Sequence, residues 1–266
     1  NFKSTLSDEF FYDNKIAASA VFAFSDQLEN LPNLSWKTYI GLRGDAVASG
    51  HQDVSPTFGA KIEYRSYPWE FLPYLNYGKN VKYPTLIENA YVSDLYNISG
   101  TDTSQSRLKP EYSNSAELGL QIQYNVNKKI LNQLSLAFEI FSRTSYNKLL
   151  TRPFDNELAF IQIGRNVTKG FEASFKLSEF WRRFFLTFSI MDLNISNPLL
   201  YSFKPEKTAS VNLNYISSLG LYLNSTLFYE GQSTAWYVDL EDELQTEIID
   251  PFYDIDLTVG IKIPVR

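Results

Sequence analysis

Carboxylates are the most concentrated reactive groups in this chain, and they cluster towards its C-terminal end. The segment "VDLEDELQTEIID" carries six acidic residues: Asp239, Glu241, Asp242, Glu243, Glu247 and Asp250. Six carboxylates provide enough oxygen atoms to hold Ca²⁺ in principle, but the segment lacks the Asp-x-Asp-x-Asp-Gly order of a calcium-binding loop. We therefore predict no metal site and expect an acidic, solvated loop.

Nucleophiles and general bases are scarce. The chain has one histidine, His51, and no cysteine. Without a second histidine or a thiol, the common nucleophile–base pairs cannot be assembled. The sequence also lacks a nucleophile elbow, an HExxH motif, a P-loop and a dinucleotide fingerprint. These absences predict a protein that is not an enzyme and that needs no cofactor.

The overall charge and the apolar segments narrow the class of protein further. A net charge of -6 and a pI near 5.0, without a cluster of Lys and Arg, argue against nucleic-acid binding. The single methionine is Met191, so Asn1 is not a translation start and we expect an N-terminal part to be missing. The longest nearly apolar run, Ile16–Phe24, is about half the length of a membrane-spanning helix. If this chain enters a bilayer, it does so as strands.

Alternation of apolar and polar residues dominates the sequence. In "ELGLQIQYNV", Leu118, Leu120 and Ile122 share one face of a strand, whereas Glu117 and Gln121 share the other. Nothing comparable occurs at the period of a helix. The pattern predicts about eleven strands, which begin near Ile16, Ser35, Thr57, Phe71, Ala116, Gln133, Gly170, Phe184, Thr208, Leu219 and Tyr253.

The predicted connections alternate between short and long. The short ones are Asp26–Leu34, Arg65–Glu70, Val126–Asn132, Ser178–Arg183 and Ile216–Leu219, and the long ones are Ala46–Pro56, Lys79–Ser115, Ser142–Lys169, Asp192–Lys207 and Gly231–Phe252. Such alternation is typical of an outer-membrane barrel, which has tight periplasmic turns and long external loops. Three of the four tryptophans, Trp36, Trp69 and Trp181, lie beside short turns, where an interfacial aromatic girdle would lie.

Several short motifs, in a fixed order, resemble the C-terminal half of the barrel in TonB-dependent outer-membrane receptors. They are a Pro-x-x-Gly strand, a "YG…PT-x-x-E" strand end, an "L-x-PE…E-x-G" segment and an Asn-to-Gly-x-Glu segment. The matching residues here are Pro56 and Gly59; Tyr77, Gly78, Pro84, Thr85 and Glu88; Leu108, Pro110, Glu111, Glu117 and Gly119; and Asn166, Gly170 and Glu172.

The resemblance implies an all-β fold: an antiparallel transmembrane β-barrel, with about eleven strands of a larger barrel of the 22-strand type. Residues 1–266 would form one domain, the C-terminal part of the barrel, and no plug domain is present in this chain. We expect the first and last strands to pair with barrel strands that this sequence does not contain, supplied by the same gene or by another chain.

The resemblance also implies energy-coupled uptake of a scarce nutrient, such as an iron chelate, cobalamin or an oligosaccharide, across the outer membrane of a Gram-negative bacterium. The expected partners are outer-membrane lipid, the missing strands and plug, an energy-coupling periplasmic protein that acts through the missing part, and a small-molecule or oligosaccharide ligand. Two alternatives remain open: a plugless or split barrel that is a structural subunit of an outer-membrane assembly, and a secreted, glycosylated β-sandwich lectin. The predicted ligand contacts are the loop residues Trp236, Tyr237, Asp239, Glu241, Asp242 and Glu243 and the inward-facing Arg43, Glu117, Gln121 and Glu172.

Overall fold

The fold consists of strands. The computed structural model describes residues 15–47, 51–85, 88, 108–126, 130–154, 157–181, 183–197, 201, 203–238 and 244–262. Within them, no helix has the length and apolar character that crossing a membrane requires. The strands are β1 (Lys15–Gln27), β2 (Leu34–Val47), β3 (Gln52–Ser66), β4 (Trp69–Lys82), β5 (Glu111–Asn125), β6 (Gln133–Phe154), β7 (Glu157–Phe180), β8 (Phe184–Ile195), β9 (Lys207–Ile216), β10 (Leu221–Glu230), β11 (Ser233–Val238), β12 (Leu244–Ile249) and β13 (Phe252–Ile261).

Eleven of these strands form one sheet in the order β1 to β10 followed by β13, and every neighbouring pair is antiparallel. The predicted number of strands in the sheet is therefore confirmed. Strands β11 and β12 pair only with each other, as a separate hairpin inserted between β10 and β13. The sequence analysis did not predict this hairpin. Among the described strands, β1 and β13 are the two edges of the sheet.

One face of the sheet carries the apolar residues, and they remain exposed. Leu118, Phe138 and Leu257 keep 52%, 48% and 66% of their surface accessible. Residues that alternate along a strand point to opposite faces, so these side chains form continuous apolar rows that no described element covers. A β-sandwich would bury such rows against a second sheet, whereas lipid leaves them exposed in the isolated protein. We refer to this side as the outer face.

The opposite, inner face is polar and includes close aromatic packing. Tyr74 on β4 lies directly opposite Gly119 on β5, and Tyr39 on β2 lies opposite Gly59 on β3. In both pairs the tyrosine ring occupies the space that a Cβ on the glycine would need. Glycine at these two positions therefore allows a ring to lie flat across the neighbouring strand, which brings tyrosine hydroxyls to the inner face.

The two ends of the sheet differ. We call the end at which β1, β3, β5, β7, β9 and β13 begin the rim, and the other end the short-turn end. Trp69 packs against Tyr124 with ring centroids 4.4 Å apart, and Trp181 packs against Phe180 at 4.5 Å, both at the short-turn end. The aromatic residues thus gather where the sequence placed an interfacial girdle.

Two of the predicted long connections were wrong. Residues 46–56 are mostly strand, because β2 continues to Val47 and β3 begins at Gln52. Residues 142–169 are also mostly strand, since β6 and β7 stay paired as far as Phe154 and Glu157. This hairpin projects beyond β5, whose pairing with β6 ends at Tyr112 and Tyr146. The rim is therefore elongated partly by strands rather than by irregular loops.

Candidate functional site

Charged and aromatic side chains from five consecutive strands meet at the rim. In an antiparallel sheet the starts of odd-numbered strands and the ends of even-numbered strands lie at the same end, so residues far apart in sequence become neighbours. The group consists of Lys15 on β1, Arg43 and Asp45 on β2, Asp53 on β3, Lys79 on β4, Tyr83 just after β4, and Tyr112 on β5. We call it the rim cluster.

The Asp45 carboxylate is buried and holds two cations. The Arg43 guanidinium donates from Nε to Oδ2 and from Nη2 to Oδ1, both at 2.9 Å. The Lys15 Nζ lies 3.3 Å from Oδ1. Two parallel hydrogen bonds from one guanidinium fix its orientation as well as its position. The Arg43 and Lys15 side chains nevertheless remain about half exposed, at 52% and 40%, so both can contact a further group.

Asp53 is the second carboxylate of the rim cluster, and it joins both ends of the 83–110 connection. The hydroxyls of Tyr83 and Tyr112 each donate to Asp53 Oδ2 at 3.2 Å. Tyr83 begins the connection and Tyr112 follows its end, so one side chain from β3 holds the two chain segments together. Lys79 Nζ lies 3.8 Å from Asp53 Oδ1.

Two cation–π contacts add to the rim cluster, and the one between Lys15 and Tyr83 links the Asp45 and Asp53 sites. Lys15 Nζ lies 4.8 Å from the centroid of the Tyr83 ring, and Lys79 Nζ lies 5.1 Å from that of Tyr112. Burial, followed by the charge of Asp53 and the hydrogen bond to it, raises the pKa of Tyr83 to about 12. The hydroxyl of Tyr83 therefore stays protonated at neutral pH and remains a hydrogen-bond donor. Three cations and two carboxylates give the rim cluster one net positive charge.

A second group at the rim attaches the 196–206 connection to β7. The Asn166 side chain is fully buried, and its Oδ1 accepts hydrogen bonds from Ser196 Oγ at 3.0 Å and from the Asn197 N–H at 3.2 Å. Lys148 Nζ lies 3.5 Å above the Tyr201 ring. Burial raises the pKa of Tyr201, but hydrogen bonds to Lys148, Thr168 and Asn166 and the Lys148 charge outweigh burial and lower it overall.

Further along the inner face, carboxylates line the wall of the sheet. Tyr74 Oη donates to Glu139 Oε2, and Asn76 Nδ2 donates to Glu117 Oε2 at 3.4 Å. Glu139 lies directly opposite Glu172 in the register of β6 and β7. A cavity of about 410 Å³ opens beside Tyr74, Glu139 and Glu172. This acidic wall is separate from the rim cluster.

The predicted ligand contacts therefore do not converge on one place. Arg43 lies in the rim cluster, while Glu117 and Glu172 lie on the acidic wall. Gln121 is exposed on β5, and its side chain makes no hydrogen bond within the described residues. Trp236 and Tyr237 belong to β11, and their side chains are not described. Asp239, Glu241, Asp242 and Glu243 lie outside the described residues, so their ligand role stays a prediction.

Sequence analysis missed most of the rim cluster: Lys15, Asp45, Asp53, Lys79, Tyr83 and Tyr112. Asp45 alone could have been found, because it lies two residues after Arg43 and therefore on the same face of β2. Finding the others requires the register between strands.

Comparison with known proteins agrees with this architecture. Residues 4–266 match the family described as "TonB dependent receptor-like, beta-barrel". No curated protein sequence gives a match.

Solved structures share the fold at low sequence identity. The pyoverdine outer-membrane receptor FpvA from Pseudomonas aeruginosa PAO1 aligns over 95% of this chain and 36% of its own, with 15% identity and a TM-score of 0.67. The siderophore receptor PirA from Acinetobacter baumannii aligns over 93% and 40%, with 16% identity and a TM-score of 0.61. The FrpB iron transporter from Neisseria meningitidis aligns over 94% and 39%, with 15% identity and a TM-score of 0.59. The chain thus spans roughly two fifths of the length of these proteins.

Proposed function

The chain belongs to the family of TonB-dependent receptor β-barrels, and from that premise we propose that it forms part of a receptor for energy-coupled uptake of a scarce nutrient. Its place is the outer membrane of a Gram-negative bacterium. The observation that carries the proposal is the two-sided sheet, whose exposed apolar outer face suits lipid and whose polar inner face suits a solvated passage.

A ferric chelate is the first candidate for the nutrient. The rim cluster supports it, because Arg43, Lys15 and two tyrosine rings present positive charge and aromatic surface together, and ferric chelates are commonly anionic or aromatic. The similar structures named above are an iron transporter, a pyoverdine receptor and a siderophore receptor. Cobalamin and oligosaccharides are the alternative nutrients, and the uptake test compares them with ferric chelates.

The proposal includes partners outside these residues. Unpaired N–H and C=O groups cost several kcal/mol each in lipid, so the edge strands β1 and β13 would pair with further strands of the receptor. Residues 1–266 would then be the C-terminal part of a larger barrel. A plug domain and an energy-coupling periplasmic protein would complete the transport machinery.

The test is uptake by whole cells. A strain that lacks the gene, and the same strain complemented with it, would be given ⁵⁵Fe-labelled chelates, labelled cobalamin and labelled oligosaccharides, each with and without a protonophore. We expect protonophore-sensitive uptake of at least one ferric chelate that requires the gene.

A variant pair then connects uptake to the site. Arg43→Glu should reduce uptake at low ligand concentration, whereas Arg183→Glu at the short-turn end should not. Unchanged uptake of all three ligand classes on deletion, together with loss of another outer-membrane assembly, would instead favour a structural subunit.

A further inference from the structure

Two lysines face each other at the short-turn end of the inner face. Lys37 on β2 and Lys61 on β3 are directly opposite in the register of the sheet. Side chains at directly opposite positions are separated by about 4.5–5.5 Å at Cβ, and like charges placed there destabilise a sheet. Such a pair therefore lowers the stability of the sheet unless an anion lies between the two ammonium groups.

Neither lysine has a partner in the described residues. Their ammonium groups make no hydrogen bond, and no described carboxylate lies within 4.0 Å of them. Glu63, the nearest inward-facing acid on β3, forms an ion pair with Arg65, which also contacts Glu70.

The lysine pair lines a recess that is large enough for a small anion. Lys37 and Lys61 line a recess of about 380 Å³ together with Ser25, Ser35, Glu63 and Asp26. Ser25 lies directly opposite Lys37 and lines the same recess, so its hydroxyl is a donor available to a group bound there. Asp26 is the other acid here, and its carboxylate accepts the Gln27 N–H at 2.7 Å.

We propose that Lys37, Lys61 and Ser25 form a subsite for an anionic oxygen group, a carboxylate or a phosphate. Two ammonium ions attract such a group from both sides, and its binding cancels their mutual repulsion. The group belongs either to a free small anion or to an acidic side chain of the same receptor that enters the inner space. The subsite lies at the opposite end of the sheet from the rim cluster, so it is separate from the proposed point of ligand capture.

The experiment uses the full-length receptor purified from outer membranes in detergent. Its thermal unfolding would be followed during titration with inorganic phosphate or succinate, with chloride balancing the ionic strength. The variants are Lys37→Gln and Lys61→Gln, and the matched control is Lys176→Gln. Lys176 also points to the inner face near the short-turn end, but Ser135 and Thr187 lie opposite it. A heat-dependent shift in gel mobility would verify that each variant folds.

The outcomes distinguish the two sources of the anion. If a free anion binds, the melting temperature of the wild type rises with phosphate or succinate. Either lysine variant then needs about ten times more anion for the same rise, which corresponds to a loss of about 1.4 kcal/mol in binding free energy. If an internal carboxylate binds, added anions have no effect and both variants lower the melting temperature, while Lys176→Gln leaves it unchanged. If the wild type shows no anion response and the variants either raise the melting temperature or match the control, the lysines are merely solvated and the proposal is wrong.

Nutrient uptake does not enter this readout, so the anion subsite and the proposed uptake function can each fail independently of the other.

Discussion

Replacing Asp53 tests whether the rim cluster holds the 83–110 connection in place. Asp53→Ala removes the acceptor of both tyrosine hydroxyls and the ion-pair partner of Lys79. Hydrogen bonds to a charged group contribute about 1.5–3 kcal/mol each. Both bonds are 3.2 Å long, beyond the usual length for a hydroxyl donor, and both end on one oxygen, so values near the lower limit apply. The partly exposed Lys79 pair adds about 0–1 kcal/mol.

We therefore expect Asp53→Ala to lower the free energy of unfolding by about 3–4 kcal/mol. Asp53→Asn should cost roughly half as much, because its amide oxygen still accepts both hydrogen bonds without the charge that strengthens them. The assay is equilibrium unfolding of the full-length receptor in lipid vesicles, followed by tryptophan fluorescence and heat-dependent gel mobility.

Asp254→Ala is the matched control for this series. Asp254 is exposed on β13, and its carboxylate has no hydrogen bond or ion pair among the described residues. Two results would refute the reasoning: a loss below about 0.5 kcal/mol for Asp53→Ala, which is typical of an ordinary surface substitution, or an equal loss for Asp254→Ala.

Three further predictions concern the membrane, pH and topology. Leu120→Arg on the outer face should cost about 2–4 kcal/mol near the bilayer midplane, and Gln121→Arg on the inner face much less, in the same unfolding assay. Because the pKa of Tyr83 is raised from 10 to about 12, its stabilising contribution is complete below pH 10 and is lost as pH rises towards 12. The free energy of unfolding of Tyr83→Phe, measured over that pH range, should therefore fall less than that of the wild type. On intact cells, protease should cleave within 83–110 and leave the Val126–Asn132 turn uncut, and the reverse would overturn the topology.

The alternation of residues predicted the strands accurately where the sheet contacts lipid. Predicted starts at Gln133 and Phe184 match the structure, and both strands begin at the short-turn end. At the rim the predicted starts of β9 and β13 lie within one residue of the observed ones, but others began late, with Gly170 in place of Glu157 for β7 and Thr57 in place of Gln52 for β3. Beyond the bilayer, water reaches both faces of a strand, so selection for alternating polarity lapses while backbone pairing continues. Sequence periodicity cannot detect such extensions.

The candidate site was predicted only in part, because it depends on register. Arg43 was expected to face inwards, and it does, but its cluster also needs Lys15 and Asp53 on the neighbouring strands. A shift of one residue in either pairing would send those side chains to the outer face. Periodicity fixes the face within a strand, whereas register between strands depends on many cross-strand contacts together. The acidic loop at 239–243 stays a prediction.

The rim cluster and the lysine pair Lys37–Lys61 differ in how their charges are balanced, and the difference distinguishes a charge that stabilises the fold from one that binds a further group. In the rim cluster, each cation already forms an ion pair with a buried or nearly buried carboxylate, so removal of Asp53 should always destabilise the receptor. At the short-turn end, Lys37 and Lys61 oppose each other and neither forms an ion pair with a described residue, so removal of one lysine relieves repulsion unless an anion is bound. The sign of the change in stability therefore shows whether an anion is bound between the two lysines. Without added anion, a destabilising Lys37→Gln would mean that the receptor itself supplies an anion to this end of the sheet. A stabilising Lys37→Gln beside a destabilising Asp53→Ala would mean that the space between the lysines is empty and that, of these two groups, only the rim cluster contributes to folding.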